Sequence, residues 1–347
     1  MIMRGIERLR RATRWPRSVS EGKVLILLYH QITASLSDPW GLAVAPRHFA
    51  QHLEVLRRHT QVIELQQLSR ALLDGSLPEK SVVVTFDDGY ADNLHNAKPL
   101  LERYGVPATV FLTTGYTGGE REFWWDELDR LLLQPGTLPE KLCLSINGNT
   151  YQWELGEAAY YSEDASLRYR KWRAWKDVPT ARHHLYRSLW ELLNPLTEAE
   201  QRKVLDELLT WAGAEPTVRP THRFLTLEEM VALARGKLIE VGAHTVTHPA
   251  LSALPAASQR EEIKKSKARL EAILERPITS FAYPYGQQIH YSAETVSIVR
   301  EAGFSCACSS FTGVVERFTD QYQLPRFRVP DCNGERFAKR LSRWFSN

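Results

Sequence analysis

Apolar residues along this chain follow two patterns: short unbroken runs, and longer stretches in which they recur every three or four positions. The runs at 23–30, 81–86, 107–112, 239–243, 280–283 and 304–309 read as strands buried on both faces. A shorter strand is expected at 61–65. Helical spacing covers 46–58, where Phe49, Leu53 and Leu56 share a face, and 65–74, closed by Gly75. It returns at 93–104, ended by Gly105, and at 258–275 and 293–302. The extended segment 324–329 and a helix at 334–345 close the chain. Strand and helix alternating in this way predict a parallel sheet or barrel.

Between 120 and 220 the alternation stops. This stretch holds seven of the ten tryptophans and little strand character. Helical spacing is evident at 181–193 and 198–212, the second opened by Thr197 with Glu200 completing a capping box. Asn147-Gly148 inside 142–153 is a strong hairpin turn pair. The expected layout is therefore a basic tail over 1–22, a barrel over 23–119, a mainly helical insertion over 120–221, and the rest of the barrel over 222–347.

Composition changes this picture little. With 347 residues, 43% hydrophobic and 24% charged, the chain is that of a globular protein with ample core. A net charge of +3 gives no case for nucleic acid, and no basic recognition motif is present. The four cysteines show no metal-binding spacing; Cys306 and Cys308 read as small buried thiols. Six arginines interspersed with apolar residues over 1–22 suit either a solvated tail or an amphipathic helix making peripheral contact with an anionic membrane. No secretory leader is read there, and no segment reaches the ~20 apolar residues of a membrane span.

Two motifs carry the chemistry. The strand run 81–86 ends in Asp87-Asp88-Gly89, and the run 239–243 is followed by His244-Thr-Val-Thr-His248. Two imidazoles and one carboxylate form a facial ligand set that leaves positions open for water and substrate, and this ligand type favours zinc over magnesium or calcium. The second aspartate is then free to act as a base. Taken alone, Asp-Asp-Gly could simply end a strand, and a lone histidine pair could be structural. Four-residue spacing would put both rings on one face if the segment were helical.

These motifs, with Phe281-Ala-Tyr-Pro-Tyr-Gly286, resemble the polysaccharide deacetylases that carry the NodB homology domain. The resemblance covers 23–120 and 222–332. It implies a distorted (β/α)7 barrel and hydrolysis of N-acetyl groups on amino sugars. The cofactor would be Zn2+, or another divalent transition metal such as Co2+ or Ni2+. It also implies Asp88, His244 and His248 as metal ligands, Asp87 as catalytic base, and the Tyr285 backbone N–H as oxyanion donor, with Pro284 beside the substrate. Two family features are missing. Ala282 occupies the position of the arginine that orients the base, and no late Leu-x-His supplies the acid histidine. His30 ends the first strand, as in a permuted branch acting on poly-N-acetylglucosamine, and is the expected general acid; a core role is its alternative. Arg326 is the expected replacement arginine, or else a structural ion pair.

Trp124, Trp125 and Asp126 open the insertion and suit contact with a sugar; otherwise the tryptophans pin the insertion to the barrel. The expected partner is an N-acetylated carbohydrate in exopolysaccharide metabolism, met in the cytoplasm or at the inner membrane surface. Alternatives on the same site are an O-acetyl esterase, a small-amide deacetylase, or a glycan-binding barrel without turnover.

Overall fold

Each unbroken apolar run buries both faces because alternate side chains enter different cores. The computed structural model describes residues 22–346 except residue 36. Apart from Gly22, the basic segment expected at 1–22 lies outside the described residues. The strands in chain order are β1 (Val24–Tyr29), β2 (Gln61–Val62), β3 (Ser81–Phe86), β4 (Ala108–Leu112), β5 (Gly136–Thr137), β6 (Lys141–Ile146), β7 (Asn149–Glu154), β8 (Tyr160–Tyr161), β9 (Ile239–Ala243), β10 (Ser280–Ala282), β11 (Cys306–Cys308) and β12 (Phe327–Arg328). Val24 and Ile26 of β1 and Val83 of β3 join Phe111, Ala282, Cys306, Cys308 and Leu324 in one cluster. Their neighbours Leu25, Leu27, Tyr29, Val82, Val84 and Phe86 pack with helix residues such as Phe49, Leu53 and Leu101 in another. One set fills the inside of a curled sheet and the other its helix-covered outside.

Seven parallel strands run in the order β11-β10-β9-β4-β3-β1-β12. The sheet is distorted beside β3, where β2 pairs with Ser81 and Val82 before β4 takes over at Thr85 and Phe86. One short segment joins the two edges: Leu324 bridges Cys308 of β11, and Phe327 pairs with Leu27 of β1. The extended segment expected over 324–329 pairs as a strand only at Phe327–Arg328, because it crosses a seam instead of staying in one ladder. The helix expected at 93–104 is also divided, with a π turn at Asn93–Ala97 before the α-helix Lys98–Tyr104. At this wide turn the Asn93 and Asn96 amides donate to the carbonyls of His30 and Ile32, both at 2.8 Å, and so hold the loop after β1.

The insertion leaves after β4 and returns at β9, two strands that pair directly. It has its own apolar core, built from Phe123, Leu128, Leu185, Leu189, Leu205 and Leu208 among others and joined to the barrel through Tyr90 and Phe224. The hairpin β6–β7 turns on Asn147 and Gly148, both at positive φ, and Thr197 and Glu200 form the expected capping box. The entry and exit of the insertion are fastened by Arg219, which pairs with Glu122 at 2.8 Å and Asp129 at 2.7 Å.

Arg182 holds the insertion's interior together. Fully buried and with no carboxylate partner among the described residues, its guanidinium donates to the carbonyls of Leu132, Gln134, Gly136, Ala158 and Ala159 at 2.6–3.3 Å. Substituting Arg182→Met strands those carbonyls, and we expect a loss of about 3–5 kcal/mol in denaturant unfolding followed by tryptophan fluorescence. The exposed Arg170→Met should stay within about 0.5 kcal/mol of wild type.

Candidate active site

The motif residues meet at the C-terminal ends of the strands, where a barrel mouth collects side chains from separate parts of the chain. Asp87 and Asp88 would point to opposite faces if β3 continued. Instead Asp88 takes φ 78° and Gly89 φ 86°, and this left-handed turn breaks the alternation. The turn is held from the segment just after the insertion, where Arg223 O accepts from Ala91 N and Leu225 N donates to Gly89 O.

Asp88, His244 and His248 place one donor atom each within 4.8 Å of one another, all buried. The Nε2 atoms of His244 and His248 lie 3.5 and 3.4 Å from Asp88 Oδ1. The Nδ1 of His244 is 2.8 Å from the Ala282 carbonyl, which sets the tautomer and leaves Nε2 as the free lone pair. Burial pushes His248 below the ordinary histidine value, partly offset by Asp88, and so favours the neutral ring that a metal needs. Its imidazole is walled by Trp125, Phe123 and Tyr285, with ring centroids at 4.9, 5.5 and 4.7 Å. Two imidazoles and one carboxylate in a buried pocket fit a divalent transition metal.

The histidines converge without a helix. Thr245 and His248 take φ 65° and 59°, and Thr245 Oγ1 accepts from His248 N at 3.0 Å. Glu262, on the helix Ala256–Leu274, clamps this loop: its carboxylate accepts from Val246 N at 2.8 Å and from Thr247 N and Oγ1 at 2.9 Å. Sequence reasoning missed Glu262, which in the chain is one acid among several on an exposed helix.

Arg326 reaches across the barrel seam to Asp87 with two parallel bonds, Nη1 to Oδ1 at 2.7 Å and Nη2 to Oδ2 at 2.6 Å. It is 0% exposed, and its remaining contacts go to Ser309 O and Thr85 Oγ1. Burial by itself would raise the Asp87 carboxyl, but Arg326, aided by His244 and His30, holds it below the usual carboxylate range. His30 lines the same cavity, its value lowered by burial against the opposing pull of Asp88 and Asp87. Tyr285 takes φ 58°; the Ser310 hydroxyl donates to its carbonyl, and Ser310 N donates to Gly286 O at 2.8 Å. A Cβ on Gly286 would lie 2.6 Å from Ser310 N, so only glycine allows this approach.

The residues enclose a cavity of about 320 Å³, lined by His30, Asp87, Asp88, His244, His248 and Tyr285 with Trp40, Trp125 and Trp190. Of the expected sugar contacts, only Trp125 faces it. Trp124 is 2% exposed and stands behind the wall, donating to Tyr285 OH; Asp126 is turned inward to accept from Tyr90 OH at 2.7 Å. Pro284 shapes the loop but does not line the cavity. Trp40, Trp190, His290 and Arg328 were not singled out from the sequence, because they come from two loops, a helix and a strand that no local pattern joins.

The Polysaccharide deacetylase family profile matches residues 74–136 and 220–307, leaving residues 137–219, most of the insertion, outside it. A Bacillus subtilis protein provisionally named a polysaccharide deacetylase, YxkH, is 33% identical over 150 residues, 42% of this chain and 52% of that protein. The poly-beta-1,6-N-acetyl-D-glucosamine N-deacetylase of Staphylococcus aureus is 27% identical over 113 residues, 29% of this chain and 39% of that protein. The chain thus spans about half the length, or less, of these curated relatives. Among solved structures, IcaB from Ammonifex degensii aligns over 94% of this chain and 98% of its own, with TM-score 0.57 and 19% identity. The Streptococcus pyogenes deacetylase PplD aligns over 92% and 98%, with TM-score 0.55 and 20% identity. The two matched segments of the profile contain Asp88, His244 and His248, and through them the chain resembles the polysaccharide deacetylase family.

Proposed function

We propose that the protein hydrolyses N-acetyl groups on an amino-sugar-containing glycan. The observation that carries this is a carboxylate, Asp87, kept ionised by a buried arginine directly beside a facial Asp-His-His ligand set. A polysaccharide-binding barrel without turnover would have no use for such a base.

Asp88, His244 and His248 would hold the cation, and their chemistry favours zinc, with cobalt or nickel as substitutes. A cation held there supplies Lewis acidity, polarising the acetyl carbonyl and easing ionisation of water. Asp87 accepts the proton of the attacking water, and Arg326 keeps that carboxylate ionised and aimed at the cavity. The Tyr285 N–H stabilises charge developing on the carbonyl oxygen. His30 delivers a proton to the nitrogen as the carbon–nitrogen bond breaks, so that acetate and a free amine leave. The relatives named for poly-N-acetylglucosamine support an N-acetylated sugar as the substrate class. A setting at the inner membrane surface, on a lipid- or nucleotide-linked precursor, is supported only by the arginine-rich residues 1–22.

Acetate release from N-acetylglucosamine oligosaccharides by zinc-loaded protein tests this reading. Asp87→Asn should lower turnover by about 10²–10⁴ while metal content is kept. Asp88→Asn or His244→Ala should lose the metal itself; an Asp87→Asn protein that comes out empty would overturn the division of roles.

Asp87 acts as a base only when ionised, so kcat/KM falls as pH drops through its lowered pKa, on the acid side of ~4. Arg326→Met removes the lowering influence and leaves burial, so the acid limb should move to higher pH. An unmoved limb, with metal content followed in parallel, would remove Arg326 from this role. Finally, Glu262→Ala should weaken metal binding by roughly ten-fold or more in chelator competition, because the ligand loop loses its clamp.

A further inference from the structure

The cavity continues outward onto the insertion. Trp40 and Trp190 line it with ring centroids 4.2 Å apart, and Trp175 lies next to Trp40 at 6.5 Å, tilted by 43°. Arg328, another lining residue, donates to Trp40 O at 3.0 Å and places its guanidinium 5.2 Å from the Trp175 ring centre. Among the described tryptophans Trp175 alone is exposed, at 54%, even with Arg328 beside it.

This exposed ring is nonetheless held in place. Ala174 N donates to Pro39 O at 2.8 Å, and Arg173 pairs with Asp38 at 3.6 Å. Asp38 also accepts from Leu42 N at 2.7 Å, so one carboxylate joins the insertion to the loop after β1. Gly41, at φ 67°, lets the indole approach: a Cβ there would lie 3.3 Å from the Trp175 ring. A fixed, solvent-facing aromatic surface costs exposed apolar area and is organised for a ligand before the ligand arrives.

The cavity's size indicates which ligand. About 320 Å³ lies at the small end of ligand pockets, room for one sugar ring with its acetamido group. Any sugar linked to that ring must leave the cavity, and the Trp40–Trp175 side offers it an aromatic face. Pyranose rings present an apolar C–H face with hydroxyls at the rim, which suits an indole with a guanidinium beside it.

We propose that Trp175 is the platform of a second sugar-binding position, so that the substrate is a chain of at least two linked sugars. This rests on the deacetylase reading above and assigns a role to a part of the insertion that the family profile leaves unmatched. The occupied position lowers KM for a chain relative to a single sugar.

The test compares kcat/KM for N-acetylglucosamine and its tetrasaccharide in zinc-loaded wild type, Trp175→Ala and Trp175→Phe. Wild type should favour the tetrasaccharide by roughly ten-fold or more, the preference residing in KM. Trp175→Ala should bring that ratio close to one, and Trp175→Phe should restore most of it by keeping an aromatic face. An equal ratio in wild type and Trp175→Ala overturns the proposal. Should no sugar release acetate, the deacetylase reading fails and calorimetric binding of the tetrasaccharide decides the platform. Weaker binding by Trp175→Ala then supports it, and equal or absent binding overturns it.

Discussion

The ion pair between Arg326 and Asp87 is the interaction on which the rest of the site depends. A buried charge pair is a weak source of stability, since desolvation offsets much of the Coulomb attraction, yet removal of either partner leaves an uncompensated charge. Here the guanidinium satisfies its donors on Asp87, Thr85 and Ser309. Its segment also joins the β11 and β1 edges of the sheet. Closure of the barrel and ionisation of the base are therefore one structural event. Misplacing the seam would leave Asp87 buried beside Asp88 with no cation, a condition that favours protonation.

Delivering ligands from parallel strands into one cavity strains the backbone. Of seven described non-glycine residues at positive φ, four lie at the site: Asp88, Thr245, His248 and Tyr285. Each such residue costs about 1–3 kcal/mol, and Thr245 is β-branched, the type least suited to that region. The surroundings over-determine these conformations. Glu262 holds the Val246 and Thr247 amides of the histidine loop, Ser310 holds the Tyr285 loop, and the segment after the insertion holds Gly89 and Ala91. The scaffold thus concentrates strain where geometry matters for chemistry, and rigid neighbours sustain it.

The insertion has a separate core, cemented by Arg182 and by the Arg219 ion pairs at its base. Yet it is not independent of the site. Its helix Ala181–Leu193 supplies Trp190 to the cavity wall, and its strap at 173–175 docks on the loop after β1. The barrel contributes the reactive groups, and the insertion contributes much of the aromatic surface that a substrate would meet.

Much of this was legible in the chain because it depends on local order. Apolar runs of strand length, the helix cap at Thr197, the Asn147-Gly148 turn and the Asp-Asp and His-x-x-x-His motifs each lie within a few residues of one another. Their physics is short-range, so the sequence alone determined alternating strands and helices with chemistry-bearing motifs at strand ends, and the resemblance to the deacetylases joined those motifs into one ligand set at a barrel mouth. What only the tertiary structure decided involves partners distant in sequence. Arg326 meets Asp87 across 239 positions, Glu262 clamps a loop from another element, and Trp124 and Asp126 turn inward while Trp40 and Trp190 form the wall. Whether an arginine pairs with a base or a tryptophan faces a cavity depends on which elements pack against it. That is set by the closing of the sheet, and no local pattern encodes it.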